Sequence, residues 1–549
     1  MGIRRALGLT ALMSLGLLPL TPARADAERQ SLEELRNTVI NLLQALVDKG
    51  LLTREQAEQL VKQAQAKAQT ESAAAAARGA AQAQEEQNAV RVPYVPQIVQ
   101  DQISQQVAQE VKPQVVEEVK QQAKTEGWGI PGSLPDWLSR IHPFGDVTLR
   151  FQADLFPKDN SYQQLLDYNA VNQAGGIARA TYPFLDTTQD RYRLRLRARL
   201  GLEGDLSDQL RAVIRLSSGS LTQIAGSASQ TLGQYFNRYT VGIDEAYILW
   251  DSSPREQLAM TTLQGGRIAN PWFTPTELVW ARDLTFEGLA GTHRFGWGDG
   301  DADRSHVYLI YGGFPLLEVP QQASQDKWMV GGQLGTNLRL ADGDDHLRIA
   351  GAYYDFLHVT GVKNTPYSTL TNYTAPAFVQ WGNTMFDISN NPTDPTVNLF
   401  ALAAHFRVVD LALQYQHLFD RYSIAFAGEA VRNVGYDRAQ IEALSGQTFS
   451  KDQNRGYVGE ISFGDPVVDE LNQWRAAVGY RYVQADAVVD AWTDADFHGG
   501  ATNASGYYFW ASYGINRNAW VRLRYLSGNE IIGPRYGLDI WQLDLNARF

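Results

Sequence analysis

Two hydrophobic periods divide the chain. Up to about residue 126, apolar residues recur every three or four positions; from Gly145 onward they recur every two. The first spacing keeps apolar side chains on one face of a helix, and the second keeps them on one face of a strand. In the first part, Leu32, Leu35, Val39, Leu42 and Leu46 form a stripe behind a Ser31–Glu34 capping-box pattern, and Gly50 stands where a helix would end. Thr53 with Gln56 opens a second helix carrying Ala57, Leu60 and Val61, whereas residues 64–87, rich in Ala and Gln, have little to bury. Beyond Val92-Pro93-Tyr94-Val95-Pro96, every fourth position from Val99 through Ile103, Val107, Val111 and Val115 to Val119 is apolar. That stripe suits a coiled-coil seam, with Pro113 kinking or splitting it.

In the second part the clearest strand is Asp190 to Glu203. Arg191, Arg193, Arg195, Arg197 and Arg199 share one parity; Tyr192, Leu194, Leu196, Ala198, Leu200 and Leu202 share the other. One face is basic and the other apolar. The same alternation returns at 147–154, 210–216, 346–353, 474–482 and 519–525. It places Arg150, Arg211, Arg215, Arg348, Arg475, Arg481, Arg522 and Arg524 opposite the apolar face. The last strand alternates Trp541, Leu543, Leu545, Ala547 and Phe549 with Gln542, Asp544, Asn546 and Arg548. Short turns (Asp205–Asp208, Asp251–Arg255, Ala341–Asp345, Gly464–Leu471, Asn516–Asn518) alternate with long polar stretches (156–189, 219–240, 359–396, 433–456, 485–506). Short turns at one rim and long loops at the other are what a membrane barrel requires, apolar outward and polar toward a water-filled lumen. The expected fold is an all-β antiparallel transmembrane barrel of roughly 16 strands behind an α-helical, coiled-coil periplasmic segment. Residues 397–432 are expected to hold one over-long bulged strand and a second strand, with a turn near Phe419–Tyr422.

Composition adds an address. Arg4 and Arg5 precede an apolar run from Ala6 to Leu20, and Ala23-Arg24-Ala25 before Asp26 has the small-x-small form of a secretory cleavage site. No other run approaches a membrane-spanning helix, and mean hydropathy is -0.30. The expected divisions are a signal peptide over 1–25, a periplasmic helical segment over 26–126, a linker over 127–144 and an outer-membrane barrel over 145–549. With no cysteine, disulfides and lipoprotein attachment are excluded. Cleavage removes three arginines and no acid, taking the formal charge from -12 to -15. An acidic total argues against nucleic acid as a partner.

The Arg row implies chemistry. Guanidinium groups stay charged and fork onto carboxylates and phosphates, so a wall of them attracts anions. The opposing reading is that they neutralise lumen acids and hold the wall. Acids for such pairing stand at Asp159, Asp167 and Asp186 in the first loop, and at Asp283 and Glu287; which loop folds inward is left open. Asp299-Gly300-Asp301-Ala302-Asp303 has alternate acids but lacks the downstream Glu of a calcium loop, and reads as a solvated turn. Trp250, Trp328, Tyr353, Tyr482, Tyr513 and Tyr525 are candidates for interfacial girdles.

Val90-Arg91-Val92-Pro93-Tyr94-Val95-Pro96, Glu126-Gly127-Trp128 and Leu134-Pro135-Asp136-Trp137-Leu138 resemble the segment ahead of the barrel in the family called putative porins. Gly266-Arg267-Ile268-Ala269-Asn270-Pro271-Trp272 and Trp280-Ala281-Arg282-Asp283-Leu284-Thr285-Phe286-Glu287-Gly288 also resemble that family, over roughly residues 90–549. The family form often has an acid directly after the tryptophan, where this chain has Ala281. The resemblance implies a passive outer-membrane channel and no particular solute.

No G-x-S-x-G, Walker or H-E-x-x-H pattern occurs, and the eight histidines are scattered. The reading is therefore a porin, not an enzyme, passing small hydrophilic solutes and favouring anions, with neither cofactor nor metal. Its expected surroundings are the lipid bilayer and lipopolysaccharide, the barrel assembly machinery reading Phe549, a homotrimer, and peptidoglycan beneath. Two alternatives stay open: a cell-wall tether using the N-terminal helices, and a barrel-embedded hydrolase.

Overall fold

The structure, a computed structural model, describes residues 140–219, 229–253, 260–296, 305–320, 325–340 and 344–549. The expected signal peptide, the helices of 26–126, linker residues 127–139 and the Asp299–Asp303 turn lie outside the described residues.

Among the described residues, sixteen strands form one antiparallel barrel. They are β1 (Ile141–Leu155), β2 (Arg191–Asp205), β3 (Leu210–Ser218), β4 (Val241–Asp251), β5 (Thr261–Ala269), β6 (Thr285–Gly296), β7 (His306–Leu317) and β8 (Lys327–Leu340). β9 (Asp345–Leu357), β10 (Arg407–Phe419), β11 (Tyr422–Asn433), β12 (Arg455–Gly464), β13 (Trp474–Val483), β14 (Ala504–Asn516), β15 (Ala519–Glu530) and β16 (Gly537–Arg548) follow. Each strand pairs with its sequence neighbours, and β16 pairs with β1 from Asp146↔Arg548 to Leu155↔Asp539. Closure leaves no free edge, which a sheet in hydrocarbon cannot tolerate. The C-terminal residue completes the seam: Phe549 and Gly145 exchange two backbone hydrogen bonds of 3.0 Å.

Outward positions carry the apolar parity. Val147, Leu149, Leu194, Leu200, Ile214, Leu543 and Leu545 are exposed on the surface that meets lipid. The six girdle aromatics all share it, with Trp250, Trp328, Tyr353 and Tyr513 the more exposed. Trp250 and Tyr513 lie toward the short-turn rim; Trp328, Tyr353, Tyr482 and Tyr525 lie on the long-loop half.

Around Phe419–Tyr422 the turn falls where expected, with Asp420 at φ 44°. The preceding strand is not over-long. Residues 397–406 belong to a loop, and there Phe400–Leu402 pairs with Met385–Asp387 as a separate two-stranded ladder.

The interior differs from a uniformly wet lumen. One continuous apolar cluster joins inward residues of β5 to β12 to residues of the loops 270–284, 358–406 and 484–503. Trp280, Phe286, Phe314, Met329, Tyr354 and Phe356 are at its centre, all at most 5% exposed. Much of the barrel's inside on that side is therefore packed protein.

Candidate permeation site

The loop between β5 and β6, residues 270–284, enters the barrel from two strands that carry paired glycines in the left-handed region. Gly266 and Gly288 face each other in the register, at φ 125° and 145°. A Cβ on Gly266 would lie 2.3 Å from the Ala246 carbonyl oxygen, and one on Gly288 2.2 Å from that of Gly313. Only glycine permits that backbone and that approach. Both glycines stand in the stretches that carry the family resemblance.

Inside, the loop is fastened at several points. Gln333 exchanges hydrogen bonds with the Phe273 backbone, accepting its N–H at 2.8 Å and donating to its carbonyl at 3.0 Å. Thr276 donates to Glu429. The Trp280 ring meets Phe286 and Tyr354 edge-on at 5.0 and 5.1 Å. Ala281 is buried and its N–H donates to the Trp492 carbonyl at 2.7 Å, tying this loop to 484–503. Trp492 stacks on Phe356 at 5.4 Å. The third loop joins through Asn383, whose side chain donates to the carbonyls of Ala485 and Val488 at 2.6 and 2.8 Å.

Across from this packed mass the inner faces of β1, β2, β3, β15 and β16 hold the arginines. Asp283 bridges Arg197 (2.7 Å) and Arg199 (3.0 Å), and Arg199 also holds Asp146 at 2.7 Å. Asp496 lies between Arg150 (3.1 Å) and Arg524 (2.6 Å), and Arg150 reaches Asp544 at 2.7 Å. Burial pushes the Asp283 carboxyl up, but Arg197 and Arg199 outweigh it and hold the group below the usual carboxylate range. Asp496 is likewise held down, by Arg150, Arg524 and Arg195 against burial. Both stay ionised. Arg522 donates to Ser512 at 2.8 Å with its guanidinium 4.9 Å from the Trp510 ring centre; among the described residues no carboxylate lies within ion-pair distance of it.

These groups surround one cavity of about 500 Å³. Eight arginines and six carboxylates line it. Of the sequence-predicted arginines, Arg150, Arg195, Arg197, Arg199, Arg215, Arg522 and Arg524 reach it, and Arg282 joins them from the loop. The others do not. Arg191 is exposed near the long-loop rim, and Arg193 pairs with Asp154. Arg211 pairs with Glu203 and Asp251 near the short turns. Arg348 lies 4.0 Å over the Phe273 ring, and Arg475 donates to Ser423 and Ser462. Arg481 is 2% exposed, donating to the Glu277 carbonyl and to Thr493. Of the predicted loop acids only Asp283 enters the cavity lining. Asp159 pairs with Arg535, Asp167 caps the helix α1 (Tyr168–Ala174), Asp186 makes local turn contacts, and Glu287 pairs with Arg267. Asp494 and Asp496 were missed, because nothing in their local spacing distinguishes them from a solvated loop.

A barrel with an inserted loop and a polar eyelet is the architecture of a diffusion channel. The family model described as putative porin matches residues 36–549. The chain belongs to this family. As a porin it is an outer-membrane protein. Three solved structures similar to this porin are OprB of Pseudomonas putida, OmpT of Vibrio cholerae in trimer form and the outer-membrane channel DcaP of Acinetobacter baumannii. OprB is 10% identical over 75% of this chain and 96% of its own, with a TM-score of 0.42. OmpT is 9% identical over 74% and 99%, TM-score 0.38; DcaP is 10% identical over 74% and 97%, TM-score 0.37. No curated protein matches the chain.

Proposed function

We propose that this porin passes small hydrophilic solutes by diffusion and favours anions. The observation that carries the reading is the cavity lining, where eight guanidiniums meet six carboxylates around about 500 Å³. The surplus is smaller than the Arg row alone suggests, because Asp146, Asp283, Asp496 and Asp544 already hold part of it. A modest surplus in a narrow low-dielectric passage still raises the local anion concentration. No chemical step is needed for this, and the reading assigns the chain no enzymatic activity. The same reading keeps residues 26–126 on the periplasmic side after signal removal, Phe549 as the assembly signal, and a homotrimer as the working unit.

The test is a reversal potential across a planar bilayer under a KCl gradient. Wild type is expected to prefer chloride. Replacing Arg197, Arg199 and Arg522 by Gln removes more positive charge than the surplus, so the preference should cross to potassium. An unchanged preference in that variant would overturn the reading.

A further inference from the structure

The inner wall beneath the inserted loop holds two carboxylates that, among the described residues, have no ion-pair partner. Asp410 on β10 and Glu429 on β11 are 0% and 3% exposed. Both face inward and are diagonal neighbours, since Asp410 pairs with Val431 and Ala412 with Glu429. On the next strand Tyr354 stands diagonal to Asp410, its partner being Val408, and is 0% exposed. Diagonal neighbours on one face stand about 7–8 Å apart at most, within reach of side chains. Both Asp410 oxygens, Glu429 Oε1 and the Tyr354 hydroxyl have no hydrogen-bond partner. The other Glu429 oxygen accepts from Thr276 of the inserted loop.

Arg481 makes no ion pair with either carboxylate, and its pull on Glu429 acts from a distance. It lies two strands from Glu429 with Val458 between them, about 10 Å away by strand spacing, and it is engaged with the Glu277 carbonyl, Thr493 and Asp494. Burying two unpaired carboxylates costs several kcal/mol each. A proton or a shared cation would each offset that cost, and the measurement below separates the two. Unpartnered oxygens on one inward face of three adjacent strands are of the kind a hard cation takes as ligands.

We propose that Asp410, Glu429 and the Tyr354 hydroxyl form a cation site of the calcium type behind the inserted loop. Among the described residues no three His, Cys, Asp or Glu side chains gather as a metal centre, so neutral oxygens complete the coordination. Thr276 then links the cation, through Glu429, to the loop that shapes the passage. The inference does not depend on anion preference.

Terbium serves as the probe. Trp272 and Trp280 lie 5.2 and 5.1 Å from the Tyr354 ring, close enough to sensitise a bound Tb³⁺. The full-length protein, purified folded in detergent, should give saturable Tb³⁺ emission on tryptophan excitation, displaced by excess Ca²⁺. D410N and E429Q should each weaken binding by more than about tenfold, and D465N, at a short turn, should leave it unchanged. Should D410N fail to fold, Y354F removes a single ligand oxygen and should still weaken binding several-fold. Absence of sensitised emission from folded wild type, or titrations unchanged in both E429Q and Y354F, would overturn the site and leave the carboxyls to protons or water.

Discussion

On β1, β2, β15 and β16 the inward positions near mid-strand are Thr148, Arg150, Gln152, the Arg row, Arg522, Arg524, Gln542 and Asp544. On β6 to β9 they are mainly Phe286, Ala290, Tyr308, Ile310, Phe314, Met329, Ala350, Ala352, Tyr354 and Phe356, with Gln333 and Arg348 turned onto the inserted loop. Both walls belong to one barrel and face one interior. The first stays wet because each guanidinium needs water or a partner, and its neighbours repel a packed filling. The second is covered because its rings gain by burial, and the three loops supply the matching surface. An aromatic wall therefore places the loops, and the placed loops carry Asp283 and Asp496 across to the arginines. Selectivity on one side depends on packing on the other.

The largest expected effect comes from breaking the packed side. Trp280→Ala removes the ring set against Phe286, Tyr354 and Phe356 and should cost about 3–5 kcal/mol in denaturant unfolding, with larger and noisier single-channel currents. Next is the hinge. Gly266→Val forces a Cβ toward the Ala246 oxygen and should cost about 1–3 kcal/mol, shifting the loop and raising conductance without touching any charge. Asp283→Asn acts on the wet side alone: it leaves Arg197 and Arg199 less compensated, so chloride preference should rise a few-fold in reversal-potential measurements while the fold persists.

The smallest effect is one of pH. Burial pushes the Asp490 carboxyl, in the loop 484–503, up to about 7. The folded state then holds a proton that the unfolded chain releases near its ordinary lower value. The contribution of this group to stability is therefore fully present only below its ordinary unfolded value of about 4 and is lost progressively as pH rises from there through about 7. The margin by which Asp490→Asn melts above wild type should widen from pH 5 to pH 8; equal differences at both values would refute the assignment.

The barrel and its wet wall were legible in the sequence because lipid and water impose a period of two. β2 and β16 show it without interruption. The packed wall was less legible because it breaks that rule. In β7, Val307, Leu309 and Tyr311 face out while Tyr308, Ile310 and Phe314 face in, all apolar or aromatic. A strand apolar on both faces meets water on neither, and that run was the available signal for a filled lumen. The glycine pair was visible only within the motif stretches, since its function lies in register across β5 and β6. Asp496 was not legible, because its meaning depends on a loop folded back over residues far away in sequence.

The division of the interior can be tested directly, because the chain has no cysteine to confuse the result. Single cysteines at Thr148 and Asn546 would line the arginine-walled cavity; at Ala350 and Ala352 they would lie in the packed wall. Each variant is treated in a planar bilayer with a charged thiol reagent while single-channel current is recorded. The account predicts stepwise block at Thr148→Cys and Asn546→Cys and no change at Ala350→Cys and Ala352→Cys. Equal block at all four would show that the passage runs through the whole lumen and would contradict it.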